Sequence, residues 1–174
     1  MYAIRPARPE DVPQLAELGA RTFRETFIDG FGIPYPDKDL RVFLDEAFSE
    51  RATAANLADP DQGWWVAVDG EGRVVGFAQT GPCALPHPQA SREHAELKRL
   101  YVGREAQGAG LGRRLLETAL AWMGRRFSGP EWIGVWSGNL KAQRLYAHYG
   151  FEKAGEYQFP VGDWRDEEFI LRRG

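Results

Sequence analysis

The segment of this chain whose residue types and spacing most directly suggest chemistry is Gln107-Gly108-Ala109-Gly110-Leu111-Gly112. It lies between an apolar run, Leu100-Tyr101-Val102, and a helical pattern beginning at Gly110. At such a junction the first amides of the helix lack intrahelical partners and the helix dipole is positive, so backbone N–H groups alone can hold a phosphate. Glycine removes the Cβ that would keep an anion off those amides, and it adopts the positive φ that tight turns require. The same glycines also suit a turn that binds nothing, so the surrounding sequence must decide. Two other phosphate-binding patterns are absent. Arg113 stands where the dinucleotide fingerprint G-x-G-x-x-G needs its third glycine, and no G-x-x-x-x-G-K-[ST] string occurs.

The elements that must position this turn can be read from periodicity. Ala95 to Val102 reads as a strand, and Gly110 to Arg126 as a helix with Leu111, Leu115, Ala119, Trp122 and Met123 along one stripe. Upstream, Tyr2 to Pro6 fits a short strand, and Pro9-Glu10-Asp11 opens a helix carrying Val12, Leu15, Leu18, Phe23 and Phe27 that ends near Gly30. Asp37 and Ser49 can cap two further helices, the second reaching about Ala58. Trp64 to Val68 and Arg73 to Thr80, joined by Asp69-Gly70-Glu71-Gly72, predict an antiparallel hairpin. Downstream come a strand at Trp132 to Ser137, a helix from Asn139 to about Tyr149 stopped by Gly150, and strands near Lys153 to Phe159 and Asp166 to Leu171. No repeat, low-complexity tract or linker interrupts the pattern, which predicts one α/β domain over residues 1–174 with a mixed sheet.

Composition narrows the function classes. A chain of 174 residues, 43% hydrophobic and 27% charged with a formal charge of −3, fits a soluble globular domain and excludes disordered or collagen-like classes. The single Cys83 forms no internal disulfide, which fits a reducing, cytoplasmic location. Arg5, Arg8, Glu10 and Asp11 break up the N-terminal region, so no export segment is expected, and the longest uncharged stretch, Val74 to Ser91, is interrupted by prolines and glycines, so no membrane span is expected. Neither nucleic acid nor membrane is an expected partner, because no basic cluster of sufficient size occurs. His87, His94 and His148 lack metal-ligand spacing, so no metal is predicted, and His87 and His148 are expected to be solvated. Cys83 has no histidine near it in sequence and reads as structural.

With these elements in place, Gln107-x-x-Gly110-x-Gly112 after Leu100-Tyr101-Val102 resembles the acetyl-CoA motif of the GNAT N-acetyltransferase superfamily. Asn139-Leu140-Lys141-Ala142, followed by Leu145-Tyr146 and Gly150-Phe151, resembles that superfamily's next element. Thr22-Phe23 with Thr26-Phe27, Ile133-Gly134-Val135-Trp136, and Phe159 with Gly162-Asp163 are similar to bacterial spermidine/spermine acetyltransferases of the PaiA type. The resemblance implies an α+β acyl-CoA N-acyltransferase fold: a central mixed, mostly antiparallel sheet of about seven strands flanked by about four helices. It implies acetyl-CoA as cosubstrate, with its pyrophosphate on the amides of Gln107, Gly108, Ala109, Gly110, Leu111 and Gly112 and its pantetheine along Leu100, Tyr101 and Val102. Asn139 and Tyr146 complete the implied cofactor contacts.

Direct transfer to an amine needs two proton movements. A primary amine with pKa about 10.4 is protonated at neutral pH and must lose a proton before it attacks. Glu96 stands where many members of the superfamily have a glutamate that works directly or through water, and by simple alternation it shares a face with Lys98, Leu100 and Val102. It reads equally as a strand-edge carboxylate paired with Lys98 or Arg99. The departing thiolate needs a donor, and Tyr146 matches the family's position for one, with Tyr149 as its nearest rival. The backbone N–H near Leu100 or Tyr101 would polarise the thioester carbonyl.

The acceptor side is read from charge. Residues 1–62 hold twelve acidic and seven basic side chains, including Glu25, Asp29, Asp37, Asp39, Asp45 and Glu46, whereas residues 63–174 carry a net positive balance. In the superfamily the first helices cover the acceptor, so the resemblance implies a small cationic amine, of which a polyamine such as spermidine is one. A protein lysine or N-terminal amine is an alternative, and Lys98 departs from the acidic tendency of polyamine acetylators at that strand. A non-catalytic acyl-CoA-binding sensor module is the alternative from another class. Many relatives pair, so a homodimer is an open expectation.

Overall fold

The computed structural model describes residues 1–174 and turns the apolar runs into one seven-stranded sheet of order β1-β2-β3-β4-β5-β7-β6. The strands are β1 (Ala3–Pro6), β2 (Gly63–Val68), β3 (Val74–Pro82), β4 (Ala95–Val102), β5 (Glu131–Trp136), β6 (Glu152–Val161) and β7 (Trp164–Arg173). Neighbouring strands are antiparallel except for β4 and β5. All nine residues of β3 are buried. That follows from helices on both faces, which bury a central strand throughout instead of leaving one side to solvent, and the two polar residues it carries, Gln79 and Thr80, both hydrogen-bond within the sheet layer.

On one face lie α1 (Val12–Phe23), α2 (Asp37–Phe48) and α3 (Glu50–Ala58); α4 (Leu111–Arg126) and α5 (Leu140–His148) lie on the other. Leu15, Leu18 and Phe23 of α1 meet Leu40, Phe43 and Leu44 of α2 over Val66 and Phe77. The opposite core joins Leu111, Leu115 and Met123 of α4 to Ala95, Leu97, Ile133 and Val135. The predicted stripe of α4 is therefore its buried face.

Local chemistry fixes the element ends. Ser49 accepts a hydrogen bond from the Ala52 N–H at 3.1 Å and starts α3, and Asn139 does the same for Ala142 at 3.1 Å and starts α5. Asp11, only 5% exposed, takes two bonds of 2.8 Å from the Arg5 guanidinium and one of 2.7 Å from the Arg8 N–H. Arg5 thereby holds the Asp11 carboxyl below its usual range. No helix is long and apolar enough to cross a membrane.

The first helix does not continue as an α-helix to Gly30. From Arg24 to Gly30 it widens into a π-helical segment, in which the Phe31 N–H reaches back to the Thr26 carbonyl. Phe27 and Phe31 both approach Trp136, with ring centroids 6.5 and 4.6 Å away. The apolar periodicity gives no sign of this change of winding.

Candidate active site

The site begins where two strands part. β4 and β5 pair in parallel over only Ala95↔Glu131, Glu96↔Trp132 and Leu97↔Ile133. Beyond Ile133, Gly134 and the rest of β5 diverge from Lys98 to Val102, leaving a gap inside the sheet. On its other edge β4 stays paired with β3, where Tyr101 lies opposite Phe77 and the Gly103 N–H donates to the Val75 carbonyl at 2.8 Å. An antiparallel ladder alternates, so the backbone groups of Tyr101 turn toward β3 while those of Leu100 and Val102 turn into the gap. Of the three residues expected to offer backbone to a ligand, Leu100 and Val102 turn theirs toward the gap, and Tyr101 turns its own toward β3.

The glycine turn closes one end of the gap. Gly108 and Gly110 have φ of +85° and +74°, and a Cβ at either would meet nothing within 4 Å. Glycine is therefore required there by backbone conformation, and the space over the amides is open. Leu111, 1% exposed, anchors the first turn of α4 in the core, while Ala109 is exposed and a Cβ on Gly112 would only graze Val102. Arg113 and Arg114 are exposed, and the first turn of α4 contains no acid. The Gln107 side chain is turned inward, donating from Nε2 to the Val102 carbonyl at 3.1 Å. Its role in the turn is therefore a brace.

A second brace comes from α1. Arg21 donates to both carboxylate oxygens of Glu105, at 3.0 and 2.9 Å, and to Glu25 at 3.0 Å. Glu25 also accepts from the Arg104 N–H at 3.2 Å, and Asp29 pairs with Arg104 at 3.5 Å. Asp39 accepts from the Asp163 N–H at 2.8 Å. These acids of the first half tie helices to turns and do not converge on a cationic ligand.

Tyr146 sits on α5, whose N-cap is Asn139, and it belongs to the core cluster against which Leu100 and Val102 pack. Tyr146 is 8% exposed, packs on Phe151 and the α4 core, and its hydroxyl has no protein hydrogen-bond partner. Burial raises its phenol well above the ordinary value, with a further push from Tyr101, so it stays protonated at any physiological pH. Burial likewise has the Tyr101 phenol pushed up to about 12. Tyr149 is different, because its hydroxyl donates to Glu117 of α4 at 2.7 Å. The Asn139 side chain caps α5.

Glu96 lies on a face other than the one simple alternation assigns. Gln79 pairs with Arg99 and the adjacent Thr80 with Leu97, so Lys98 is the extra residue of a β-bulge. The bulge resets the alternation. Ala95, Leu97, Leu100 and Val102 pack toward α4, whereas Glu96 shares the α1–α2 side with Arg99 and Tyr101. Glu96 Oε1 accepts from the Ala84 N–H at 2.9 Å and pairs with Lys98 Nζ at 3.3 Å.

That face continues across the gap as an aromatic and acidic surface. From β5 come Trp132, Gly134 and Trp136; from β7, Glu168 opposite Trp136 and Asp166 two residues before it; from β6, Tyr157 opposite Glu168 and Phe159 opposite Asp166. Tyr35, in the loop before α2, donates to Asp166 at 2.5 Å, and Trp164 Nε1 donates to its other oxygen at 2.9 Å. Tyr157 donates to Glu168 Oε2 at 2.7 Å. Glu168, Asp166 and Tyr157 were absent from the expected site, although Asp166, Glu168 and Ile170 at every second position of the last strand signal one face carrying two acids. Cys83 is buried, its thiol pushed up to about 11 by desolvation, which makes it a poor nucleophile. His87 is not freely solvated as expected: its ring packs 5.0 Å from Trp132 and bonds the Ala154 carbonyl at 3.1 Å, because the β3–β4 loop folds back over the sheet. His148 is exposed, and His94 accepts from Trp132 Nε1 at 3.1 Å.

Comparison with known proteins gives one consistent result. Residues 20–151 match the Acetyltransferase (GNAT) family. An uncharacterised N-acetyltransferase of Lactobacillus delbrueckii subsp. lactis is 30% identical over 166 residues, 94% of this chain and 92% of that protein. Streptothricin acetyltransferase of Streptomyces lavendulae is 28% identical over 163 residues, 88% of this chain and 83% of its own length. Among solved structures, the PaiA N-acetyltransferase of Thermoplasma acidophilum in complex with coenzyme A superposes with a TM-score of 0.76 at 21% identity, covering 99% of this chain and 98% of that one.

Proposed function

Because this chain belongs to the GNAT acetyltransferase family, we propose that it transfers an acetyl group from acetyl-CoA directly to a primary amine, and that the acceptor is a small cation of the polyamine class. One observation carries the reading: the gap between β4 and β5 leaves backbone of Leu100 and the Val102 N–H without a strand partner, at the end closed by an open glycine turn and on the sheet face that packs against protonated, unpartnered Tyr146.

An extended, amide-bearing chain such as pantetheine can pair with that exposed edge as a strand would, because the edge offers N–H and C=O groups at ladder spacing. The amides of the turn from Gly108 to Gly112 suit a pyrophosphate, and exposed Arg113 and Arg114 add charge nearby. The Leu100 N–H is the gap-facing donor available to a thioester carbonyl; Tyr101 supplies a phenol instead of an amide. Attack by a neutral amine forms the C–N bond, the C–S bond breaks, and Tyr146 gives its proton to the departing sulfur. A buried Cys83 with a raised thiol supports direct transfer over an acetyl-enzyme.

The patch of Phe31, Trp136 and Glu168, with the buried and hydrogen-bonded Asp166 adding negative charge beneath it, supports a cationic acceptor, since aromatic faces and carboxylates both attract an ammonium. The test is thiol release from acetyl-CoA with spermidine, streptothricin and a lysine-containing peptide. Turnover fastest with spermidine is expected; faster turnover of the peptide would reassign the acceptor to a protein amine, and acetyl-CoA binding without turnover of any amine would leave only a binding module.

A further inference from the structure

We propose that Glu168, rather than Glu96, takes the proton from the acceptor ammonium. The proposal rests on the acetyltransferase reading above and names the base for that same site.

The first ground is position. Glu168 lies on β7 opposite Trp136 of β5 and Tyr157 of β6, on the face shared with Tyr101. Its side chain reaches over β5, where a Cβ on Gly134 would stand 3.2 Å from Glu168 Oε2 and 2.9 Å from the Tyr157 hydroxyl. Gly134 is the first residue of β5 past the last β4 pair, Leu97↔Ile133. The absence of a side chain at Gly134 therefore lets a carboxylate lie at the vertex of the gap, on the acceptor side.

The second ground is availability. Tyr157 occupies only Oε2, and no lysine or arginine pairs with Glu168. Glu96 lies one register pair back from the vertex, and one of its oxygens is already engaged by both the Ala84 N–H and the Lys98 ammonium. The groups facing Glu168 are Glu96 and Tyr101 from β4, Tyr157 from β6, Asp166 from its own strand and Tyr35 through Asp166, with Trp136 adding none from β5. Lys98 is held by Glu96, and Arg99 is turned to Phe48 and the Ala47 carbonyl. Burial pushes the Glu168 carboxyl up to about 7; Tyr157 pulls it down, while Asp166 and Glu96 push it further up. That value suits a group that must accept a proton near neutral pH.

The protons balance. The ammonium gives one proton to the Glu168 carboxylate, and the resulting amine attacks the thioester carbon. When the C–S bond breaks, sulfur takes the Tyr146 proton, the acetylated nitrogen sheds its extra proton back to Tyr146, and Glu168 returns its own to solvent. The net products are the amide, the free thiol and one proton.

The experiment compares Glu168→Gln and Glu96→Gln with the wild type by thiol release from acetyl-CoA between pH 6 and 9.5, using the fastest of spermidine, streptothricin and the lysine peptide. Thermal protection by CoA verifies that each variant is folded with its donor site intact. Glutamine at 168 can still accept the Tyr157 hydrogen bond. The expected result is that Glu168→Gln loses about 100-fold in kcat/KM at pH 7, lacks the ascending limb near pH 7, and recovers as pH approaches the amine's own pKa of about 10. Glu96→Gln is expected to stay within about fivefold and keep the limb. Should Glu168→Gln fail to fold, Tyr157→Phe serves in its place, because losing a hydrogen bond that lowers the carboxyl moves the limb to higher pH with an unchanged plateau. A wild-type limb retained in Glu168→Gln, or unmoved in Tyr157→Phe, overturns the assignment of the base and leaves the acetyltransferase reading intact. A wild type that binds CoA yet acetylates none of the three amines overturns both.

Discussion

The side-chain amide of Gln107 donates to the Val102 carbonyl across 3.1 Å, and that one bond ties the glycine turn to the end of β4. It consumes an acceptor that would otherwise face the gap, and it sets the distance between the two backbone segments that together would hold a nucleotide thioester. Gln107→Ala is expected to raise the KM for acetyl-CoA about threefold to tenfold, the cost of one hydrogen bond, with the amine KM unchanged. Steady-state kinetics with each substrate varied in turn checks this. An equal rise in both constants would mean a general loosening of the fold.

The two tyrosines at the end of α5 are expected to separate cleanly. Tyr146→Phe removes a hydroxyl with no protein partner, so it should leave the melting temperature nearly unchanged while kcat falls about 100-fold. Tyr149→Phe removes a hydroxyl bound to Glu117 on the exposed side of α4, and it should leave kcat within about twofold. Comparable losses in the two variants would dismiss Tyr146 as the proton donor.

Gly110→Ala tests backbone conformation without any steric clash. At φ +74° with open space around the Cβ, the substitution should cost about 1 kcal/mol, or roughly 3 °C in melting temperature. Acetyl-CoA affinity should fall further than stability, since the new methyl lies over the amides offered to phosphate. Isothermal titration with CoA beside calorimetry distinguishes the two effects.

Burial of Glu168 gives stability a pH dependence of known sign. Its carboxyl binds a proton more tightly in the folded state, about 7 against 4.5 ordinarily, so its contribution is full below pH 4.5 and is lost as pH rises through about 7. Glu168→Gln escapes that loss. Relative to the wild type, the variant should gain on the order of 3 kcal/mol between pH 5 and pH 8. Urea denaturation at the two values measures the difference, and an identical gap at both would contradict it.

Asp11 carries the opposite sign. Held below its usual range by Arg5, it stabilises the folded state above pH 4 and loses that contribution as pH falls through its lowered value. Asp11→Asn should destabilise by about 2 kcal/mol at pH 7 and by progressively less below pH 4. Thermal melts over pH 2.5 to 7 would follow the convergence.

Much of this architecture was legible because local signals agreed with one another. The Asp69-Gly70-Glu71-Gly72 turn specified its hairpin, Ser49 and Asn139 marked helix starts that they do cap, and the glycine turn lies where a strand runs into α4. Three features were not legible. The bulge at Lys98 depends on how β3 pairs with β4, and it reverses which β4 side chains share a face with Glu96. The π-helical turn from Arg24 to Gly30 leaves the apolar spacing unaltered. The acids of the acceptor face come from the last strand, and Glu168 gains meaning only when β7 is inserted between β5 and β6. Each is a matter of long-range pairing, which a one-dimensional pattern does not encode.

The short parallel join between β4 and β5 also governs how the molecule breathes. Three register pairs are the entire ladder between the four strands on one side and the three on the other. What keeps the halves together is packing on both faces: in the α4 core Trp65 and Val75 from one half and Ile133 and Leu171 from the other belong to a single cluster, and in the opposite core Val66 and Phe77 join Val161. The sheet therefore has a seam held by packing more than by ladder hydrogen bonds, and the lowest-energy sub-global opening runs along it. Amide exchange at Ala95 to Leu97 should report that opening, and a ligand lodged in the gap would act as a bolt across the seam, slowing exchange in strands it never touches.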